Sequence, residues 1–120
     1  MSELSVSSRD EGQYTVVDVA GDLDLISAPA LRKKLTSLFA EGHRLIVIDL
    51  SQVPFLDSTG IGVLVGAQWN VRRNDGNVRI VCSDPRVLRV FTITGLEQVF
   101  SIHDTVEQAL SAEDGPRQPA

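Results

Sequence analysis

Apolar positions fall into two alternating spacings along this chain. Leu4 to Ser8 alternates weakly between apolar and polar, as an edge strand does, and Tyr14 to Ala20 carries the β-branched residues Thr15, Val16, Val17 and Val19. Asp10-Glu11-Gly12 lies between them as a turn signal, so the pair predicts a hairpin, broken off by Gly21. The period then lengthens. Leu31, Leu35, Leu38 and Phe39 recur at helical spacing, with Arg32, Lys33 and Lys34 on the wet side, Ser27 as a cap, Pro29 in the first turn and Gly42 as the stop. The run from Arg44 to Leu50 is continuous rather than alternating, with Leu45 to Ile48 apolar, which predicts a central strand covered on both faces.

The alternation repeats. A helix is expected from near Ser58 to Arg73, stopped by Asn74-Asp75-Gly76-Asn77, and then a buried strand from Val78 to Cys82. Asp84-Pro85 opens another helix with Val87, Leu88 and Phe91 inward and Gly95 at its end. Val99 to Ile102 reads as a short last strand. Asp104-Thr105-Val106-Glu107 resembles a capping box, with Asp104 at the cap, for a final helix carrying Val106, Ala109 and Leu110. The order β-β-α-β-α-β-α-β-α predicts one α/β domain over residues 1–113. Its sheet is mixed and mostly parallel, with an N-terminal hairpin and about four helices, and residues 114–120 form a flexible tail. Right-handed crossovers bring two loops to the carboxyl ends of the strands, Gly21-Asp22-Leu23-Asp24 and Ser51 to Ser58, where such sheets meet ligands and partners.

Composition narrows the function classes. The chain has 120 residues, 42% of them hydrophobic, which suits one compact domain. Sixteen acidic residues outnumber 11 scattered Lys and Arg, so the net charge is −5 and no nucleic-acid footprint is expected. No apolar run approaches a membrane span, and Met1-Ser2-Glu3-Leu4 lacks the start of a signal peptide. Cys82 is the one cysteine, so no intrachain disulfide forms; its apolar setting reads as a buried, inert thiol. These features predict a cytoplasmic protein. His43 and His103 lack ligand-spaced companions, so neither a metal nor a cofactor is expected.

Chemistry concentrates in Asp57-Ser58-Thr59-Gly60-Ile61-Gly62, which places a serine in the first turn of a helix just beyond a strand and a loop. Such a serine can cap the helix, bind an anion, act as a nucleophile or accept a phosphoryl group. A hydrolase needs a base and an orienter beside Ser58; neither histidine is placed for that, and the segment is not a Gly-x-Ser-x-Gly elbow. A nucleotide-cradling loop needs a lysine and a spacing that are absent. An aspartyl-phosphate receiver needs a lysine near a late strand, and the only lysines are Lys33 and Lys34 on the first helix. At about 100° per residue, Ile61, Leu64 and Val71 share one helix face, with Gln68 beside them, and that face is assigned to the core. Ser58, Gly62, Val65, Gly66, Trp69 and Arg73 share another sector, where a hydroxyl, two glycines, a tryptophan and an arginine suit a partner interface or a seal against a neighbouring loop. Gly60 and Gly62 also suit a tight start of the helix against the sheet. Asp22 reads equally as a turn former and as a partner contact.

Together with the Gly21-Asp22-Leu23-Asp24 loop, the Asp49-Leu50 strand end and Ile93-Thr94-Gly95-Leu96, this segment resembles the STAS domain of bacterial anti-sigma factor antagonists, from about Leu4 to Leu110. The resemblance implies a STAS-like fold and a partner-switching role. The unphosphorylated antagonist binds an anti-sigma factor that is also a serine kinase, which frees a sigma factor. The kinase phosphorylates the serine matching Ser58 and ends binding, and a metal-dependent serine phosphatase restores it. On this resemblance Asp24 and Asp57 flank the phosphorylation site and help engage the kinase, Thr59 aligns with a second hydroxyl position at the partner-binding site, and the protein is not an enzyme; read from its place at the helix start, Thr59 is expected to have a structural capping role. The competing reading is a stand-alone STAS interaction module that serves another signalling complex, or binds a small ligand, without using the serine.

Overall fold

The computed structural model describes residues 4–112, and the tail expected at 114–120 lies outside them. Strands β1 (Ser5–Glu11) and β2 (Tyr14–Ala20) form the antiparallel hairpin, with Glu11 paired to Tyr14. The first strand is longer than its sequence suggests. Asp10 and Glu11 belong to the ladder, and the turn is only Gly12-Gln13, where Gly12 has φ +66°, the positive angle a two-residue hairpin requires at its first position. Helix α1 (Ala28–Ala40) follows, then β3 (Leu45–Gln52), α2 (Ser58–Arg72), β4 (Asn77–Val81), α3 (Pro85–Ile93), β5 (Ser101–His103) and α4 (Val106–Ser111). The sheet order is β1-β2-β3-β4-β5, parallel from β2 onward.

A sheet that grows in one direction through right-handed crossovers must put every crossover helix on one face. Side chains of Val17, Val19, Ile46, Ile48, Val78 and Ile80 on that face join buried residues of α1, α2 and α3 in one core. The alternate residues Val16, Val47 and Val81 meet Ala109 and its neighbours on α4, with Tyr14 beside them, in a smaller second core. β3 is thus covered on both faces, which is why its sequence reads apolar without alternation. Arg79 is buried on the α4 side. Its guanidinium lies 4.7 Å from the Tyr14 ring centre and donates a hydrogen bond to the carbonyl of Ala109, the last-turn end of α4.

Three local expectations are corrected. The cap of α4 is Thr105, not Asp104: its hydroxyl accepts from the Gln108 amide at 3.1 Å, while the Gln108 side chain accepts from the Asp104 amide. The last strand starts at Ser101, not Val99. Gly95, at φ +75°, turns the chain into a 3₁₀ turn over Leu96–Gln98, and Phe100 is used as core filler, edge-on to Phe91 at 6.0 Å. Ser27 occupies the cap of α1 but caps nothing with its side chain. Gly42 does end α1: with φ +94° it allows the paired bonds from the His43 amide to the Leu38 carbonyl and from the Gly42 amide to the Phe39 carbonyl. No helix among the described residues is long and apolar enough to cross a membrane.

Candidate functional site

The two loops leaving β2 and β3 run side by side. β3 contributes an extra residue against β2, since Asp18 pairs with Asp49 but Ala20 with Gln52, and this irregularity leads both chains off the sheet together. Beyond it the Gly21 amide bonds the Gln52 carbonyl, the Leu23 amide the Phe55 carbonyl, and the Asp57 amide the Leu23 carbonyl. Leu23, Val53 and Leu56 are buried beneath, so apolar burial as well as backbone bonding fixes the pair. Asp49 braces the start of the second loop, where its carboxylate accepts from the Ser51 amide at 2.9 Å.

Asp57 joins this loop pair to α2. Its backbone is extended, and its Oδ1 accepts from the amides of Thr59 at 2.9 Å and Gly60 at 3.0 Å. These are two of the four amide groups a helix start leaves without an intrahelical acceptor. Its Oδ2 accepts from the Leu25 amide, 3.1 Å away in the other loop. The helix cap is therefore Asp57. Thr59 supplies an amide to be capped, and a capping role for its hydroxyl is not what the structure holds. Gly60 is required where it stands: a Cβ there would lie 2.7 Å from Leu56 Cδ1 and 2.9 Å from the Leu23 carbonyl oxygen. Gly62 is not, since a Cβ there meets nothing within 4 Å. The tight-start explanation fits the first glycine and fails for the second.

Ser58 is the first residue of α2 and is exposed, and its hydroxyl makes no hydrogen bond among the described residues. Asp24 does not spend its carboxylate on the serine. Its Oδ1 accepts from the amides of Ile26 at 3.1 Å and Ser27 at 3.0 Å, and the Ser27 amide leads the contacts that hold the carboxyl below its usual range. Ser27 closes the same turn by donating to the Asp22 carbonyl at 2.6 Å and accepting from the Asp24 amide at 3.0 Å. Asp22, half-buried, thus takes part through its backbone. The arrangement brings the Asp22–Asp24 turn, Asp57, Ser58 and Thr59 together.

The rest of the predicted set runs away along α2. Gly62, Gly66, Trp69 and Arg73 are exposed, Trp69 to 66%, and Val65 is half-buried. Arg73 is the C-terminal cap, about 22 Å along the axis from Ser58 at 1.5 Å per residue. These residues can share one extended surface but no small active site. The buried face of α2 is Gly60, Val63, Leu64, Ala67, Gln68 and Val71, with Ile61 only half-buried. The core arc is rotated from the expected one toward Val63 and Ala67, because α1 covers the flank of α2 in addition to the sheet beneath it. Gln68 is inside with full use: its amide nitrogen donates to Asn77 Oδ1 and the Val99 carbonyl, and its oxygen accepts from the Val78 amide.

Sequence reasoning missed three exposed apolar residues on the paired loops: Leu25 at 67%, Ile26 at 84% and Phe55 at 50% exposure. The available signal was that Leu25-Ile26 lies inside a turn and belongs to no periodic face. Nucleophilic chemistry at Ser58 finds no support in the histidines. His43 Nδ1 pairs with the Thr15 hydroxyl at 2.7 Å, and His103 Nε2 with the Ser101 hydroxyl at 2.6 Å. Among the described residues no cluster of three or more His, Cys, Asp and Glu is arranged to hold a metal ion.

Comparison with known proteins gives consistent matches. The STAS domain family model matches residues 5–109. The anti-sigma-B factor antagonist of Bacillus subtilis is 40% identical over 99 residues, which cover 82% of this chain and 90% of that protein. The anti-sigma-B factor antagonist of Staphylococcus aureus is 32% identical over 104 residues, 87% of this chain and 96% of the relative. Among solved structures, an anti-sigma factor antagonist from Mycobacterium paratuberculosis superposes with a TM-score of 0.84 at 30% identity, over 90% of this chain and 92% of that one.

Proposed function

The chain belongs to the STAS domain family, and from that premise we propose that it is an anti-sigma factor antagonist whose binding is switched by phosphorylation of Ser58. In the unphosphorylated state it binds an anti-sigma factor with serine kinase activity, and a sigma factor is released. The kinase transfers a phosphoryl group from ATP to the Ser58 hydroxyl, and a metal-dependent serine phosphatase removes it. The protein is a binding module and a kinase substrate in this scheme, not an enzyme.

One observation carries the reading: Ser58 stands exposed at the start of α2, beyond a cap that Asp57 already provides. Of the amides that would ordinarily welcome an anion at a helix start, those of Thr59 and Gly60 are bonded to the Asp57 carboxylate and that of Asp57 to the Leu23 carbonyl. A phosphate on Ser58 adds about −1.5 to −2 charges. With those amides taken and Asp57 adjacent, the phosphate is turned outward. The free domain keeps its fold, and the partner surface meets a bulky dianion that must be desolvated. A cost of about 3 kcal/mol there lowers affinity by more than about a hundredfold. Leu25, Ile26 and Phe55 offer apolar contact beside the serine, and Trp69 further along α2 offers an aromatic anchor.

The test is intact-mass analysis of wild type and Ser58→Ala after incubation with ATP-Mg and each anti-sigma kinase encoded in the same genome. One added phosphate on wild type alone, mapped to Ser58, is the expected result. Binding to a kinase without any phosphate transfer would replace the switch by a constitutive interaction module. Neither binding nor transfer would remove the sigma-pathway reading.

A further inference from the structure

Charge is distributed unevenly over this acidic chain. Helices α1 and α2 carry Arg32, Lys33, Lys34 and Arg72 and no Asp or Glu, although the chain as a whole has 16 acidic and 11 basic residues. Between these two helices runs an open groove of about 540 Å³. Leu35, Phe39, Val63 and Ala67 give it apolar walls, Arg32 is its one charged lining residue, and Asn70 adds a polar group. The α2 wall is cut back at Gly62 and Gly66, and a Cβ at either would meet nothing of this chain within 4 Å. Glycine inside a helix destabilises it relative to alanine. Neither glycine is needed for a backbone turn or for packing, so the fold itself gives no reason for that cost. Ser58, Gly62 and Gly66 succeed one another at four-residue spacing, which puts the serine at the N-terminal mouth of the same groove.

We propose that this groove receives an acidic amphipathic α-helix of the anti-sigma partner, an inference that rests on the antagonist reading of Ser58. A small molecule is a poor occupant, because small-ligand sites bury most of the ligand and this groove lies open between two helices. A helix suits it: the glycine pair lets a second backbone approach closely, apolar side chains of the guest meet the half-buried Phe39, and its acidic flank meets Arg32 on the groove wall. The same placement links docking to the switch. A phosphate on Ser58 sets a dianion at the mouth of a groove whose guest is itself acidic, so repulsion along the groove adds to the local clash at the serine.

The experiment uses the full chain and the kinase that binds it, with affinity measured calorimetrically for wild type, Arg32→Glu, Gly66→Leu and the double alanine variant Gly62→Ala/Gly66→Ala, each at low and at high salt. Circular dichroism and thermal midpoints check that each variant is folded; the double alanine variant is expected to melt higher than wild type. Arg32→Glu and Gly66→Leu are each expected to weaken binding at least tenfold, the first with a reduced salt dependence, and amide exchange in the wild-type complex is expected to slow on the facing sides of α1 and α2. Wild-type affinity in folded Arg32→Glu and Gly66→Leu, with binding still abolished by Ser58→Asp, would overturn the groove and leave the antagonist reading intact. Sedimentation changes in these variants without any kinase would make the groove a contact between two copies and overturn the proposal. Failure of every kinase to bind wild type would overturn both.

Discussion

Asp57 does two things at once, and removing it separates them. Its Oδ1 serves the Thr59 and Gly60 amides, and its Oδ2 holds the Leu25 amide of the neighbouring loop. In Asp57→Ala, loss of the cap costs about 1 kcal/mol. Loss of a negative charge at a helix start removes about 0.5 kcal/mol more. The bond to Leu25, at an exposed position that water can reach, contributes less than about 1 kcal/mol. The expected destabilisation is about 2 kcal/mol, a fall in melting temperature of roughly 6–10 °C for a domain of this size. Asp57→Asn keeps an oxygen for the cap but puts an NH₂ where Leu25 needs an acceptor, so about half the loss is expected. Urea unfolding followed by far-ultraviolet circular dichroism gives the free energies, and amide exchange gives the local effect. Both variants should speed exchange at Leu25, whereas only Asp57→Ala should speed it at Thr59 and Gly60. If Asp57→Ala unfolds within about 0.5 kcal/mol of wild type, or if asparagine is as damaging as alanine, the dual role assigned to this carboxylate is wrong.

Two glycines two residues apart should respond oppositely. Gly60→Ala drives a Cβ into Leu56 and the Leu23 backbone and should cost about 1–3 kcal/mol, whereas Gly62→Ala meets open space and should stabilise by up to about 1 kcal/mol in the same urea titration. Trp69→Ala, which removes an exposed side chain, should leave the melting temperature within about 2 °C of wild type and still weaken kinase binding at least about tenfold. Burial, with the Arg79 charge second, holds the His103 imidazole below its ordinary pKa, against a weaker opposing pull from Asp104. The unfolded chain therefore takes up a proton first as pH falls through about 6.5, so stability should drop from there down to the folded pKa, and His103→Gln should flatten that slope in pH-dependent urea titrations. Burial also raises the Cys82 thiol pKa, so a disulfide reagent should modify the native chain at least about a hundredfold more slowly than the urea-unfolded chain.

Order and identity of the elements were legible in the sequence because they rest on local periodicity. The apolar run of β3, the four-residue spacing on α1 and the Gly42 stop each state their structure within one window. The motif at Ser58 was legible for the same reason: a cap residue, a hydroxyl and glycines at the start of an apolar helix form a local pattern. What depended on distant neighbours was not. Which residue caps α2 became clear only from the Asp57 carboxylate, since it must also satisfy Leu25, 32 residues away. The buried arc of α2 turned toward Val63 and Ala67 because α1 lies along its flank. Asp24 looks from the sequence like a free acid beside a phosphorylation site, and the structure commits it to the turn of Ile26 and Ser27. By itself the sequence determined the alternation of strands and helices and the exposed serine at a helix start, since hydrophobic period and helix capping act over a few residues. Only the tertiary structure decided which amides were already satisfied, which glycine was sterically obliged and which helix flanks remained open, since each depends on atoms that folding brings together from separate parts of the chain.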